Sequence, residues 1–170
     1  MSLRLDYPTY HECRWLVQQG VDPDALAQPT PIRAASVRFF KHAFDFADDG
    51  ERALIFTEER DAVAWQPKRG LLVPWRGVAF ALNEEAIFNP ATWLMGGALR
   101  IHHSPLEWLQ ADREGIVIVQ PRLTFAMLRH CPRLLFASAA HARQVRGRLE
   151  HPPKIATEFL IVSKEEKRAA

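Results

Sequence analysis

The chain has 170 residues and a formal net charge of +2, with hydrophobic residues at 48% and charged residues at 25%. These are the proportions of a globular protein and exclude a disordered or low-complexity chain. No apolar stretch approaches the roughly 20 residues that span a bilayer, and the opening MSLRLDYPTY has no hydrophobic signal region, which predicts a soluble cytoplasmic protein with one core and no membrane partner.

Thr9-Tyr10-His11-Glu12 reads as a capping box, in which hydroxyl and carboxylate satisfy the free amides of a helix running to about Gln19 and stopped by Gly20. Asp22-Pro23 combines an acidic cap with a proline at the first helical position, predicting a short second helix to about Ala27. Gln28-Pro29-Thr30-Pro31 cannot continue it and reads as an extended connector. From Ala34 to Leu82 the apolar runs around Val37, Phe39, Phe44 and Phe46, then ALIF, AVAW, LLVPW and VAFAL, are separated by the turns DDGE, EERD, PKRG and RG. That spacing predicts an antiparallel meander, with Pro74 marking an edge strand or a bulge because it cannot donate to a ladder.

Beyond the meander, Asn89-Pro90 begins a short helix containing Trp93 and Leu94, and Gly96-Gly97 ends it before a strand from Ala98 to His102. Ser104-Pro105-Leu106-Glu107 is a second capping box, its helix ending near Arg113 to Gly115. A strand at Ile116 to Val119, a helix from about Arg122 to His130, a strand at Leu134 to Phe136, a helix from about Ala139 to Leu149 and a last strand from Thr157 to Val162 follow, with a frayed tail from Lys164. Continuous apolar strands separated by helices point to a largely parallel sheet covered on both faces. The expected fold is mixed α/β (α+β) in a single domain: a helical arm over 1–33, the meander over 34–82 and strand–helix units over 83–163.

Charge is segregated along this order. Residues 1–96 hold ten Lys/Arg against thirteen Asp/Glu, whereas residues 97–170 hold twelve against seven. Within 121–154, Arg122, Arg129, Arg133, Arg143, Arg146, Arg148 and Lys154 face one acid, Glu150. Such a stretch raises the local concentration of a polyanion, or simply keeps a helix face solvated. On the helix from Ala139 to Leu149, Ala139, Ala142, Val145 and Leu149 share one side, leaving His141, Arg143, Gln144, Arg146 and Arg148 over the remainder, a pattern suited to phosphate contacts. A second basic set, Lys68, Arg69 and Arg76, lies around a hairpin tip with Trp65 and Trp75, where an exposed indole could stack on a base; tryptophan packed in a core is the more ordinary outcome.

Few residues suggest chemistry. Cys13 and Cys131 are 118 positions apart, with neither metal nor redox spacing, and are expected to be buried thiols. His102 and His103 are strand neighbours and point to opposite faces, so they do not share one ion, and one of them is expected to pack inside. His130 and His141 fall near strand ends, where a site on an open α/β sheet forms, but no nucleophile or carboxylate accompanies them at a recognisable spacing. Asp45, Asp48 and Asp49, and likewise Glu58, Glu59 and Asp61, read as solvated loop tips. No glycine-rich phosphate loop is present, and no cofactor is implied.

The strand–helix order from Ala98 onward resembles the Toprim fold of primases and topoisomerases, over roughly the last 70 residues and in topology alone. In that family a glutamate after the first strand and an Asp-x-Asp pair after the third hold magnesium. The corresponding places here read Ile101-His102-His103 and Ala137-Ser138-Ala139, so the resemblance implies a degenerate domain without the metal chemistry. The expected function is a non-enzymatic accessory role on nucleic acid through the basic C-terminal half. Two others are kept beside it: a protein-interaction or self-association module using the aromatic meander, and an enzyme using His102, His103, His130 or His141 at a strand-end crevice.

Overall fold

The computed structural model describes residues 5–151; the expected strand at Thr157 to Val162 and the tail from Lys164 lie outside the described residues. Helix α1 (Tyr10–Gln18) opens on the expected box: Thr9 Oγ1 accepts from the Glu12 amide at 3.3 Å and Glu12 Oε2 accepts from the Thr9 amide at 2.6 Å. Helix α2 (Asp24–Ala27) is held at its start by Asp22, whose carboxylate accepts from the Asp24 amide at 2.8 Å.

The meander forms a five-stranded antiparallel sheet from β1 (Arg33–Phe39), β2 (Phe44–Phe46), β3 (Glu51–Thr57), β4 (Ala62–Gln66) and β5 (Leu71–Pro74), in the order β2-β1-β3-β4-β5. Pro74 lies on the edge strand β5, opposite Val63. The sheet is curled, and its sequence shows why. On one face Ala35 and Ala53 stand opposite each other, with Ala64 opposite Ile55, so the centre of the concave side is small. The two edges then approach across it, the Phe46 and Trp75 rings meeting edge-on at 5.3 Å between centroids.

The run Val78 to Leu82, expected as the last strand of the meander, belongs elsewhere. Only β6 (Ala81–Leu82) is extended, and it pairs with β8 of a second sheet. The cause is Asp61, expected to be a solvated loop tip but buried. Its carboxylate accepts from the amides of Arg76, Val78 and Ala79 at 2.8–2.9 Å and turns the chain away from β5.

The second sheet has the order β6-β8-β7-β9, with β7 (Leu99–His102), β8 (Ile116–Ile118) and β9 (Leu134–Phe136) mutually parallel and β6 antiparallel. The largely parallel expectation therefore holds for β7, β8 and β9, and the sheet takes in an antiparallel strand, β6, from the run expected to close the meander. Helix α3 (Pro105–Gln110) crosses from β7 to β8. A 3₁₀ turn (Pro121–Leu123) and α4 (Thr124–Leu128) cross from β8 back over β7 to β9, and α5 (Ala139–Glu150) follows. The predicted helices around Trp93 and from Arg122 are shorter than expected: Pro90–Gly96 is a 3₁₀ segment broken at Leu94 and Met95, and α4 begins only at Thr124.

Strand alternation puts Val117 in a core shared with the curled sheet, α1 and α3 (Leu54, Phe56, Trp65, Leu16, Trp108), while Ile116 faces a separate core under α4 and α5 with Leu128 and Val145. The second sheet thus separates the meander from the α4–α5 layer. Trp65, weighed above as a stacking residue, is buried in the shared core and leaves the basic hairpin tip without an exposed indole at that position. No helix among the described residues is long and apolar enough to cross a membrane.

Gly115, between α3 and β8, has a φ of +84° and faces the Arg100 backbone, so an added Cβ would overlap the Arg100 carbonyl. Gly115→Ala is expected to cost about 2–4 kcal/mol, from left-handed backbone strain and the clash together, read as a lower urea midpoint at unchanged slope. A loss under about 0.5 kcal/mol would show that the turn relaxes freely.

Candidate functional site

The connection from β7 to β8 leaves β7 on one side, and the connection from β8 to β9 returns to the other. The carboxyl ends of β7 and β9 therefore flank the point where the winding reverses, the usual place for a ligand on an open α/β sheet. Here β7 ends in His102 and is followed by His103, and β9 is followed by Ala137-Ser138, the same two places at which the Toprim resemblance would require carboxylates.

Local sequence fixes each side chain at this crevice. His102, on the inward phase of β7, is buried and its Nε2 lies 2.8 Å from the Glu114 carbonyl oxygen, a packing role. His103 takes the outward phase and is exposed. Ser104 caps α3, its Oγ accepting from the Glu107 amide at 3.3 Å. Glu107 Oε2 accepts from the His103 amide at 2.9 Å, one residue earlier than an ordinary capping box requires. That bond holds Glu107 over the end of β7. Ser138 caps α5 in turn, accepting from the His141 amide at 3.2 Å, and sets His141 against the end of β9.

The result is a pair of histidines. The His103 and His141 rings stand edge-on at 5.1 Å between centroids, and Phe136 backs His141 at 5.3 Å. Burial, then the neighbouring His103, holds His141 below the ordinary histidine range, with Arg148 and His102 adding to the effect and Glu107 opposing it. Two hollows meet at Glu107 and Ala137. One, of about 330 Å³, is lined by His103, Ser138, His141 and Gln144; the other, of about 410 Å³, runs along α3 between Arg100, Gln110 and Leu135. Among the described residues no group of three or more His, Cys, Asp or Glu is placed to hold a metal ion.

The basic residues of α5 lie on the adjoining outer layer. Arg143 and Arg146 are exposed on α5 and Arg148 is half-buried. Arg146 reaches Glu150 at 3.5 Å, while Arg143 and Arg148 have no acidic partner among the described residues. Arg133 donates to the Gly96 carbonyl at 2.9 Å, and Arg129 donates to His130 Nε2 at 2.9 Å. His130 stands before β9, at the amino ends of the parallel strands, and so is set apart from His102, His103 and His141.

The second basic set is not brought to this layer. Lys68 and Arg69 sit on the β4–β5 turn, where Arg69 is paired with Glu51, and the Arg76 guanidinium covers the Trp75 ring at 4.5 Å. These residues belong to the curled sheet, on the far side of the second sheet from α5.

Comparison of the chain with protein-family models, curated proteins and solved structures gives no match. Function is therefore argued from the geometry.

Two acidic residues escaped the reading of the sequence. Glu107 was visible only as a capping residue, although its place one turn after β7 puts it at the crevice. Glu58 lies beneath a hollow of about 360 Å³ shared with Glu84 and Glu85, and burial first, then those two carboxylates, pushes it up to about 7. Arg113 is buried beside Trp108, donates one bond to the Thr30 carbonyl at 2.8 Å and keeps Nε and Nη2 without a protein partner; burial lowers it to about 10. Neither residue type nor spacing singles it out.

Proposed function

We propose that the protein associates with nucleic acid through the α4–α5 layer, which contacts the phosphate backbone. The observation that carries this reading is the charge of the segment that runs through α4 and α5, with Arg143, Arg146 and Arg148 on α5 and Arg122 and Arg129 flanking the uncharged α4. Residues 121–151 hold six arginines and a single acid, Glu150, and α4 packs directly on α5. Exposed arginines on a helix contact phosphates without reading sequence, so the binding is expected to be strong at low salt and indifferent to base order. The aromatic side chains of the meander support the competing self-association reading less, because Phe44 is buried within the curled sheet and Phe56 and Trp65 in the core it shares with the second sheet.

Arg143→Ala together with Arg146→Ala is expected to lower affinity for duplex DNA and to reduce the slope of log K against log salt by about two, roughly one per phosphate contact removed. Both side chains are exposed, so the fold is expected to be unchanged. An unaltered slope would place the contact surface elsewhere.

A protein partner is the second reading, carried by Leu94 and Met95 rather than by the meander. Both are exposed side by side in the broken 3₁₀ segment, Met95 with a φ of +52°. Sedimentation with Met95→Ser would show dissociation if this patch holds copies together.

A further inference from the structure

We infer that the cleft between the carboxyl ends of β7 and β9 holds a single nucleotide by its terminal phosphate, with His103, His141 and Gln144 around the phosphate, Glu107 on a sugar hydroxyl and the base lying toward Leu135. This deepens the proposed function and rests on it, since it makes the cleft the place where a strand end is held while the α4–α5 layer carries the backbone.

Unspent hydrogen-bonding capacity carries the inference. The His102 ring is committed to the Glu114 carbonyl, but neither ring of His103 or His141 has a protein hydrogen-bond partner among the described residues. The two rings come from different elements, the end of β7 and the first turn of α5, and converge on the same hollow as Ser138 and Gln144. A pair of histidine N–H groups with an amide donor suits a compact anion with several acceptor oxygens. Glu107 also borders this hollow, so its carboxylate opposes the histidines there and keeps the site to one phosphate, while it accepts a hydroxyl. Its Oε2 is tied to the His103 amide, which leaves its other oxygen for a sugar. Beyond Glu107 the cleft widens along the uncovered face of β9, where Leu135 is 47% exposed and Arg100 and Gln110 border the opening. A phosphate, a hydroxyl and a flat apolar ring in that order are the parts of one nucleotide.

The same constellation makes binding depend on pH. The groups facing His141 are His102 at the end of β7 and His103 just after it, Glu107 from α3, Phe136 from β9 and Arg148 on its own helix. A phosphate bound beside His141 favours its charged form against the burial that lowers it, so retention of the terminal phosphate strengthens as pH falls toward about 6, where a phosphate monoester still carries more than one negative charge.

The test compares fluorescent single-stranded oligonucleotides ending in a 5′-phosphate, a 3′-phosphate or hydroxyls only, with a nucleoside monophosphate and inorganic phosphate as competitors, at about pH 6 and pH 8 and constant ionic strength. A phosphorylated end is expected to bind about tenfold more tightly than a hydroxyl end at about pH 6, with the preference shrinking at about pH 8. His103→Gln, an exposed change that leaves the core intact, and His141→Gln should each reduce that preference, the phosphorylated end losing more affinity than the hydroxyl end. Equal binding of all ends at both pH values overturns the inference and leaves the proposed function standing. A nucleoside monophosphate that binds in a histidine-dependent way, with no binding of any oligonucleotide, supports the cleft as a nucleotide site and overturns the proposed function. Binding of neither overturns both.

Discussion

Asp61→Ala is expected to remove about 4 kcal/mol of stability, or to prevent folding outright, because one buried carboxylate organises the junction between the two sheets. Its oxygens accept from the amides of Ala62, Arg76, Val78 and Ala79, three of them 15 to 18 residues away. Alanine would leave those donors facing a void, each a desolvated N–H without an acceptor. Asp61→Asn keeps one acceptor oxygen and should lose about half as much. Urea unfolding gives the stability, and hydrogen exchange at Val78 and Ala79 gives the location, since those amides should lose protection in Asp61→Asn before the rest of the sheet. A cost below about 1 kcal/mol for the alanine variant would mean that the turn at Gly77 holds the junction without the carboxylate.

Glu58→Gln is expected to act in the opposite direction and only at neutral to alkaline pH. Burial and the charges of Glu84 and Glu85 raise the Glu58 carboxyl from 4.5 to about 7, against the Asn83 amide that it accepts at 3.1 Å. The folded state therefore holds this proton more tightly than the unfolded state does. Its contribution to stability is fully present below about 4.5, falls as pH rises from there and is gone once pH has passed through 7, a change of up to about 3 kcal/mol. Glutamine keeps an acceptor for Asn83 and never ionises. The variant and the natural protein should thus have similar urea midpoints near pH 4.5, and the variant should be the more stable by up to about 3 kcal/mol near pH 8. Midpoints that stay parallel across that range would show that solvent reaches the carboxylate.

Those two residues also mark where reading the sequence stopped short. Signals confined to a few neighbours were legible: the Thr9 and Ser104 starts, the Pro74 edge, and the bounds of β9 all depend on local backbone chemistry. The alternation of β7 sent one of His102 and His103 inward, as strand geometry requires. Glu58 and Asp61 carry the same local signature as any acidic turn, and what buries them arrives 15 to 27 residues later, from Arg76 through Glu85. Trp65 reads as a hairpin-tip residue until Trp15 and Phe56 of other elements close over it. The candidate cleft was half legible. Its histidines stood out by type, but their convergence depends on the order β8-β7-β9, a long-range property that no window of sequence contains.

Association with nucleic acid is the claim on which the functional account turns, and fluorescence anisotropy of labelled duplex DNA against the protein at about 50 and 200 mM salt tests it most directly. Phosphate contacts by Arg143, Arg146 and their neighbours predict binding at the lower salt, a loss of at least about tenfold at the higher, and little difference between unrelated base sequences. Absence of binding at the lower salt, or binding that does not weaken as salt rises, would contradict the account and leave the arginines of α5, and those flanking α4, as a solvated surface.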